Sequence, residues 1–404
     1  MPLALANLLH RKLRSALSIL AVAIGIAMLL VMLGLTHGTL DEVAARVQSV
    51  DAELVVLPQH ENVIFTGGAA FSDRFRPLIE SCTVDDRPAV RACLPVLFDT
   101  IRLGGQQQRL FGVDPADFPA FLGPRRLVSG RLFEEGARFA AWLDTLRNAD
   151  GHYDPTAVSD NELESACELV IDQRLAAVGG YEVGHVETIL GRRFRVAGIV
   201  ESGVAGRVFC PIQTLQHIKN AGLPWASMFF VQLAAAPPGR DAGWADRCAA
   251  ALAERTRARV ELKTAYGDLL AESFSQIFAF IAIASALSII VCFLFILLTL
   301  YTGVVERTRE IGILRALGAD GGFLLRCAVS EAVLLCGAGT AVGIGLAFAS
   351  KGLIEHLRPL LTVRIDATFL LLAAVIGVAG GAASALLPAW RAARLDPSAA
   401  LSFD

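Results

Sequence analysis

Seven histidines, His10, His37, His60, His152, His185, His217 and His356, are scattered through the chain, and none falls in the H-E-x-x-H spacing that sets two imidazoles and a general base on one helix face. Each reads as a surface or satisfied buried residue. No G-x-S-x-G elbow presents a nucleophilic serine, so hydrolase chemistry has no support. No G-x-x-x-x-G-K-[ST] loop offers backbone amides to nucleotide phosphates, so the chain is expected not to hydrolyse ATP itself.

Eight cysteines occur at irregular spacing without a C-x-x-C pair or zinc-ligand intervals. Three lie in apolar stretches. Cys82, Cys93, Cys167, Cys210 and Cys248 lie between them, where an oxidising compartment could pair some; Cys82 with Cys93 is the first pairing to test, against buried reduced thiols. No metal site is expected.

The stretch richest in alternating chemistry is VVERTREIGILRALGAD, Val304 to Asp320. Ile311, Leu314 and Leu317 recur at helical spacing while Glu306, Arg307, Arg309, Glu310 and Arg315 take the other positions, which predicts a short amphipathic helix closed by Gly318 as C-cap. The plain alternative is a polar loop with a solvated charge run.

The elements that must hold this stretch are apolar. The chain has 404 residues, 54% hydrophobic and only 19% charged, below the roughly 25% charged residues of soluble domains. A net charge of −3 with no dense basic block sets nucleic acid aside as a partner. From Ser15 to Leu40 no Asp, Glu, Lys or Arg occurs, enough for the roughly 20 residues that span a bilayer. His10, Arg11, Lys12 and Arg14 precede this run and Asp41 and Glu42 follow it, so the N-terminus is expected in the cytoplasm. A cleavable signal peptide is disfavoured by the length of the run and by the lack of an A-x-A site after it.

Further runs at 273–305, 327–350 and 367–390 give an expected total of four transmembrane helices. Residues 1–14 then form an amphipathic cytoplasmic helix, 306–326 a cytoplasmic loop, 351–366 an extracytoplasmic loop and 391–404 a cytoplasmic tail. Arg307, Arg309, Arg315 and Arg326, with Arg391 and Arg394 in the tail, agree with that orientation. Gly339 with Gly343, and Gly377 with Gly381, have the G-x-x-x-G spacing that lets helix backbones approach. Glu331 sits at the expected cytoplasmic edge of the third span, where solvation is favoured over an intramembrane role.

Residues 41–272 read as an extracytoplasmic α+β domain, one body or two subdomains. AELVVLP, VLFDTIRL and QQQRLFGV read as short strands, with Gly104-Gly105 as a hairpin turn between the latter two, ARFAAWLDTLRN and WADRCAAALAERTRA as helices, and CELVIDQRLAAV, FRVAGIV and SMFFVQL as completing an alternation of strand and helix. GVDP at 112–115 and Asp85-Asp86 read as turns.

ERTREIGILRALGA resembles the signature of MacB- and FtsX-type ABC transporter permeases, as do ANLLHRKLRSALSILAVAIGIAMLL at the start and LLPAWRAARLDPSAAL at the end. LVIDQRLAAVGGYEVGHVETILGRRFRVAGIVESG and VFCPIQTLQHI are similar to runs of that family's extracytoplasmic domain, and the size of the domain suits MacB-like, LolC-like or DevC-like members. The region Asn62 to Arg76 with AFSDRF is faintly similar to DevC-like permeases. The resemblance implies a permease subunit in the bacterial inner membrane, matched to the permease half alone. Its coupling helix (Glu306, Arg307, Arg309, Glu310, Ile311, Leu314, Arg315, Leu317, Gly318) would dock a cytoplasmic ABC ATPase that binds ATP and Mg. It also implies a second permease copy, identical or paralogous, a periplasmic adaptor or lipoprotein as a further partner, contact with membrane lipids, and mechanotransmission of an amphiphilic or lipid-like substrate. The alternative it leaves is an FtsX-like signalling scaffold acting on an extracytoplasmic enzyme; the least similar reading is a non-ABC receptor.

Overall fold

The computed structural model describes residues 12–59, 71–72, 75–123, 125–148, 153–237, 243–265, 275–306 and 321–393. Helix α1 (Lys12–Gln48) leads to β1 (Leu54–Leu57), β2 (Phe71–Ser72), α2 (Phe75–Glu80), β3 (Thr83–Val84), β4 (Arg87–Pro88), β5 (Val90–Leu103), β6 (Gln106–Val113), α3 (Phe118–Leu122), β7 (Leu127–Gly130) and α4 (Glu134–Leu146). Next come α5 (Asp160–Ser165), β8 (Glu168–Asp172), α6 (Gln173–Gly179), β9 (Val186–Ile189), β10 (Arg192–Val200), β11 (Val208–Pro211), α7 (Ile212–Asn220), β12 (Trp225–Ala226), β13 (Met228–Leu233), α8 (Trp244–Thr256) and β14 (Arg259–Leu262). The chain continues with α9 (Ser275–Glu306), α10 (Gly321–Leu357) and α11 (Ala367–Ala393). It divides into two units, Met1–Thr39 with Phe274–Asp404, and Leu40–Ser273.

In the first unit, Val22, Ile26, Ala27 and Leu30 of α1 pack with Ala332, Cys336 and Ala347 of α10 and Ala373 and Ala385 of α11. On α10 and α11 small residues therefore face inward against larger ones of α1, while Ile24, Phe280, Ile283, Leu346 and Leu371 point outward and exposed. Such exposed apolar faces would be unfavourable in water and are matched by hydrocarbon, where close backbone approach rather than hydrophobic exclusion holds helices together. Among the described residues, three helices are long and apolar enough to cross a membrane: Ser15–Arg46, Val329–Leu357 and Ala367–Leu386. Within α9, Ala279–Val291 is a shorter apolar stretch. The helices overrun the expected spans: α1 continues past Leu40 to Gln48 and α10 runs from Gly321 to Leu357. In α1 the overrun is supported by the i,i+4 ion pair of Glu42 with Arg46.

The second unit is built on a ten-stranded mixed sheet of order β14-β1-β13-β5-β6-β11-β8-β10-β7, with β9 paired to β10. The β5–β6 hairpin turns at Gly104 and Gly105, with φ of 57° and 75°, as a left-handed two-residue turn demands. Asp85 and Asp86 also have positive φ and join β3 to β4, and residues 114–117 turn between β6 and α3. The parallel pairs β6–β11 and β8–β10 need crossovers, and α6 lies within the β8-to-β10 connection. Strands such as β1 and β8 are buried along their whole length, consistent with their interior places in the sheet. This is an α+β domain.

One core cluster of this unit holds Leu54, Phe71, Ile79, Phe229, Trp244 and Leu252 together with Cys82, Cys93 and Cys248. Among the described residues no disulfide joins Cys82 to Cys93, and these two are buried, as are Cys167, Cys210 and Cys248. They act here as small apolar residues of the core.

Candidate functional site

Glu306 is the last residue of α9. Arg307, Arg309, Glu310, Ile311, Leu314, Arg315, Leu317 and Gly318 lie outside the described residues, as do residues 1–11 of the expected N-terminal helix, the tail from Arg394, most of Asn62 to Arg76, and His10, His60 and His152. The four glycines singled out by spacing are all described. A Cβ on Gly339 would stand 2.6 Å from Cβ of Val22, and one on Gly343 2.8 Å from the carbonyl oxygen of Ala23, so both face α1. A Cβ on Gly377 would collide with Oγ1 of Thr340, and one on Gly381 with Sγ of Cys336, so these two face α10. Gly339 and Gly343 thus admit the backbone of α1, with the carbonyl oxygens of Ile19 and Ala23 at 3.1 and 2.8 Å from the added carbons, whereas Gly377 and Gly381 make room for the side chains of Thr340 and Cys336. Glu331 is half-buried on α10.

The same spacing in α1, Gly34 and Gly38, went unread and has a different partner. Here the neighbour is the extended segment after α10: a Cβ on Gly38 would strike the carbonyl oxygen of Thr362, and one on Gly34 would lie 2.9 Å from that of Arg364. Beside them the ring of His37 tilts against Phe369 at 5.0 Å. The glycine spacing was visible in the sequence, but an extended partner has no helical period to reveal it.

The second unit carries the perturbed acids. Burial, with Asp114 nearby, pushes the Asp117 carboxyl up to about 6, against the opposing pull of Arg76 at 3.8 Å. Burial also raises the Glu168 carboxyl, held by the Gly136 N–H at 3.0 Å and by Arg131 at 3.1 Å. Tyr153 and Nδ1 of His217 share a hydrogen bond at 2.9 Å, and burial lowers the His217 imidazole. Among the described residues no group of three or more His, Cys, Asp or Glu is placed to hold a metal ion. The remaining feature that sequence reasoning missed is Arg46, a cation on the far end of α1 that is buried in the second unit.

Apolar helices with glycine contacts, on the same chain as an α+β domain that follows the first of them, mark a membrane protein with a folded domain between its first and second long helices. The family model described as MacB-like periplasmic core domain matches residues 15–242, more than half of the chain, and that described as FtsX-like permease C-terminal matches residues 282–397. The chain belongs to the MacB/FtsX-type family of ABC transporter permeases. It is similar to the macrolide export ATP-binding/permease protein MacB of Neisseria gonorrhoeae, 24% identical over 98% of this chain and 59% of that protein. It is also similar to the pyoverdine export ATP-binding/permease protein PvdT of Pseudomonas putida, 26% identical over 96% of this chain and 57% of that protein. The chain therefore spans less than two thirds of the length of these relatives. Among solved structures, the periplasmic region of MacB from Actinobacillus actinomycetemcomitans aligns over 57% of this chain and 95% of its own, at 11% identity and a TM-score of 0.35.

Proposed function

We propose that this chain is the transmembrane subunit of an ABC exporter in the bacterial inner membrane, crossing it four times with both termini in the cytoplasm. The observation that carries the reading is the pairing of two family matches in one chain, a periplasmic-core match over 15–242 and a permease match over 282–397, on a frame of long apolar helices. The fourth crossing is assigned to α9, whose residues from Ser275 to Val305 include no Asp, Glu, Lys or Arg. The domain of residues 41–272 then lies outside the cytoplasm.

A separate ATPase that binds ATP and Mg docks on the stretch Glu306–Gly318 and drives a conformational change that passes through the helices to the extracytoplasmic domain. The direction of transport is taken from relatives whose names give export of a macrolide and of pyoverdine. The cargo is amphiphilic or lipid-like and is handed on by mechanotransmission, a mechanism that needs no hydrophilic channel, consistent with the scarcity of charge in the apolar helices. Two copies of the chain, or one copy and a paralogue, form the working unit, with an adaptor or lipoprotein as a further partner.

The test is affinity purification of the tagged protein from mild detergent with assay of vanadate-sensitive ATPase activity. An ABC ATPase is expected to copurify with the wild type, and to be lost on charge reversal at Arg309 and Glu310 or with Leu314→Asp while membrane insertion is kept. Recovery of the chain without any ATPase, or normal association of those variants, would overturn the reading. If an extracytoplasmic enzyme copurifies with the complex and responds to ATP, the FtsX-like signalling role replaces export.

A further inference from the structure

Arg46 lies on the last turn of α1 and is 8% exposed. Its guanidinium has five N–H donors, and each has an acceptor. Nε reaches Glu42 Oε1 at 3.1 Å, and Nη2 reaches Glu42 Oε1 at 3.0 Å and Asp172 Oδ2 at 3.2 Å. Nη1 reaches the carbonyl oxygens of Val204 at 3.2 Å and Gly206 at 3.3 Å. Glu42 Oε1 also accepts from Nη2 of Arg207 at 2.6 Å. Two guanidinium and two carboxylate groups thus share one cluster, all within the second unit.

The three anchor points of Arg46 belong to separate parts of the fold. Glu42 is one turn back on α1. Asp172 ends β8, its side chain is fully buried, and its other oxygen caps α6 by accepting from the Leu175 N–H at 2.7 Å. Val204 and Gly206 sit in the connection from β10 to β11, and the Asp172 N–H donates to the Arg207 carbonyl at 2.9 Å, which ties that connection to β8. Strands β8, β10 and β11 are neighbours in the sheet. A turn or axial shift of the end of α1 must therefore drag β8, the α6 cap and the 204–206 connection with it, or strip a buried cation of its partners, the costlier course.

We propose that Arg46 is the positioning residue through which motion of α1 enters the sheet of the extracytoplasmic domain. The inference rests on the transporter reading above and adds the joint at which that reading's mechanical step is made. A lysine cannot replace it, because one ammonium cannot meet acceptors that are spread as the planar fork spreads its donors.

The test uses the full complex as it copurifies with the tagged chain, in lipid nanodiscs, with hydrogen exchange of the amides at 172–176 and 204–207 followed without nucleotide and after trapping with ATP and vanadate. In the wild type, exchange at these amides is expected to change by about tenfold between the two states. Arg46→Gln is expected to bring that ratio to about one while vanadate-sensitive ATPase activity stays within about twofold of wild type, and Arg46→Lys to give a ratio between the two. A purely structural role would speed exchange in both states alike and leave the ratio as it was. Should Arg46→Gln fail to accumulate, Asp172→Asn keeps an acceptor and an N-cap residue, removes one charge, and is expected to lower the ratio. An unchanged ratio in Arg46→Lys and Asp172→Asn, or no nucleotide-dependent change in a wild type with an active ATPase, would overturn this inference alone. Absence of any copurifying ATPase would overturn the transporter reading and this inference with it.

Discussion

The backbone N–H of Arg364 donates to the carbonyl oxygen of Gly34 at 2.9 Å, so an extended segment is laid directly on the backbone of α1. That approach is available because Gly34 and Gly38 have no side chains on the contacted face. Gly38→Val would place a branched carbon against the Thr362 backbone, which cannot swing away as a side-chain end could. Overpacking of this kind costs about 1–3 kcal/mol, and the substitution is expected to lower the melting temperature of the detergent-solubilised protein. Gly345→Ala is the control: nothing lies within 4 Å of its added carbon, so the helix should gain rather than lose stability. Equal effects at the two sites would refute the packing argument.

The same residues show what a sequence reader can see. That α10 and α11 each carry a small-residue face follows from helical spacing, because i and i+4 share a face, but which helix meets that face does not. The β5–β6 hairpin is as legible, since two adjacent glycines between alternating strands leave few other conformations. The sheet order is not legible: β6 beside β11 and β8 beside β10 are parallel pairs made across crossovers, and no local pattern encodes which strand a crossover returns to. Arg46 reads as one charge of a flank, since its partner Asp172 is 126 positions away. The ATPase-docking role proposed for Glu306–Gly318 rests on spacing and resemblance alone.

Thr340 faces Gly377 in the α10–α11 seam, and its Oγ1 is buried with no hydrogen-bond partner among the described residues. An unmade buried hydroxyl bond costs about 1–3 kcal/mol, whereas a methyl group of similar shape costs nothing in hydration. Thr340→Val is therefore expected to stabilise the protein by about 1 kcal/mol, read as a higher melting temperature in detergent. A destabilised variant would show that the hydroxyl is engaged.

Asp117 precedes α3 but makes no side-chain cap, and its carboxyl is raised from an ordinary value of 3.8 to about 6. A raised carboxyl means that the folded state prefers the protonated form. Its contribution to stability is thus full below pH 3.8 and is lost as pH rises through about 6. Asp117→Asn mimics the protonated form, so it is expected to raise the melting temperature at pH 7.5 and to make little difference near pH 4. A variant that is less stable at pH 7.5 would mean that the contact with Arg76 outweighs burial.

Burial pushes the thiols of Cys167 and Cys248 up to about 12 and about 11, and those of Cys82 and Cys210 upward as well. Since thiolate is the nucleophile, none of the four should react with maleimide at pH 8 in the folded protein, and all should react once guanidinium unfolds it. Intact-mass spectrometry without reductant separates this from a disulfide, whose two sulfurs would stay unlabelled even in denaturant. The same shifts set a pH limit. Unfolded thiols ionise near 9.0 while the folded Cys167 and Cys248 hold their protons to about 12 and 11, so their contribution is full below pH 9 and fades as pH rises beyond it. Cys167→Ala with Cys248→Ala should therefore flatten the fall in melting temperature between pH 8 and pH 10.5, while lowering its starting value through the cavities left in the core. A fall as steep as that of the wild type would place the alkaline limit on other groups.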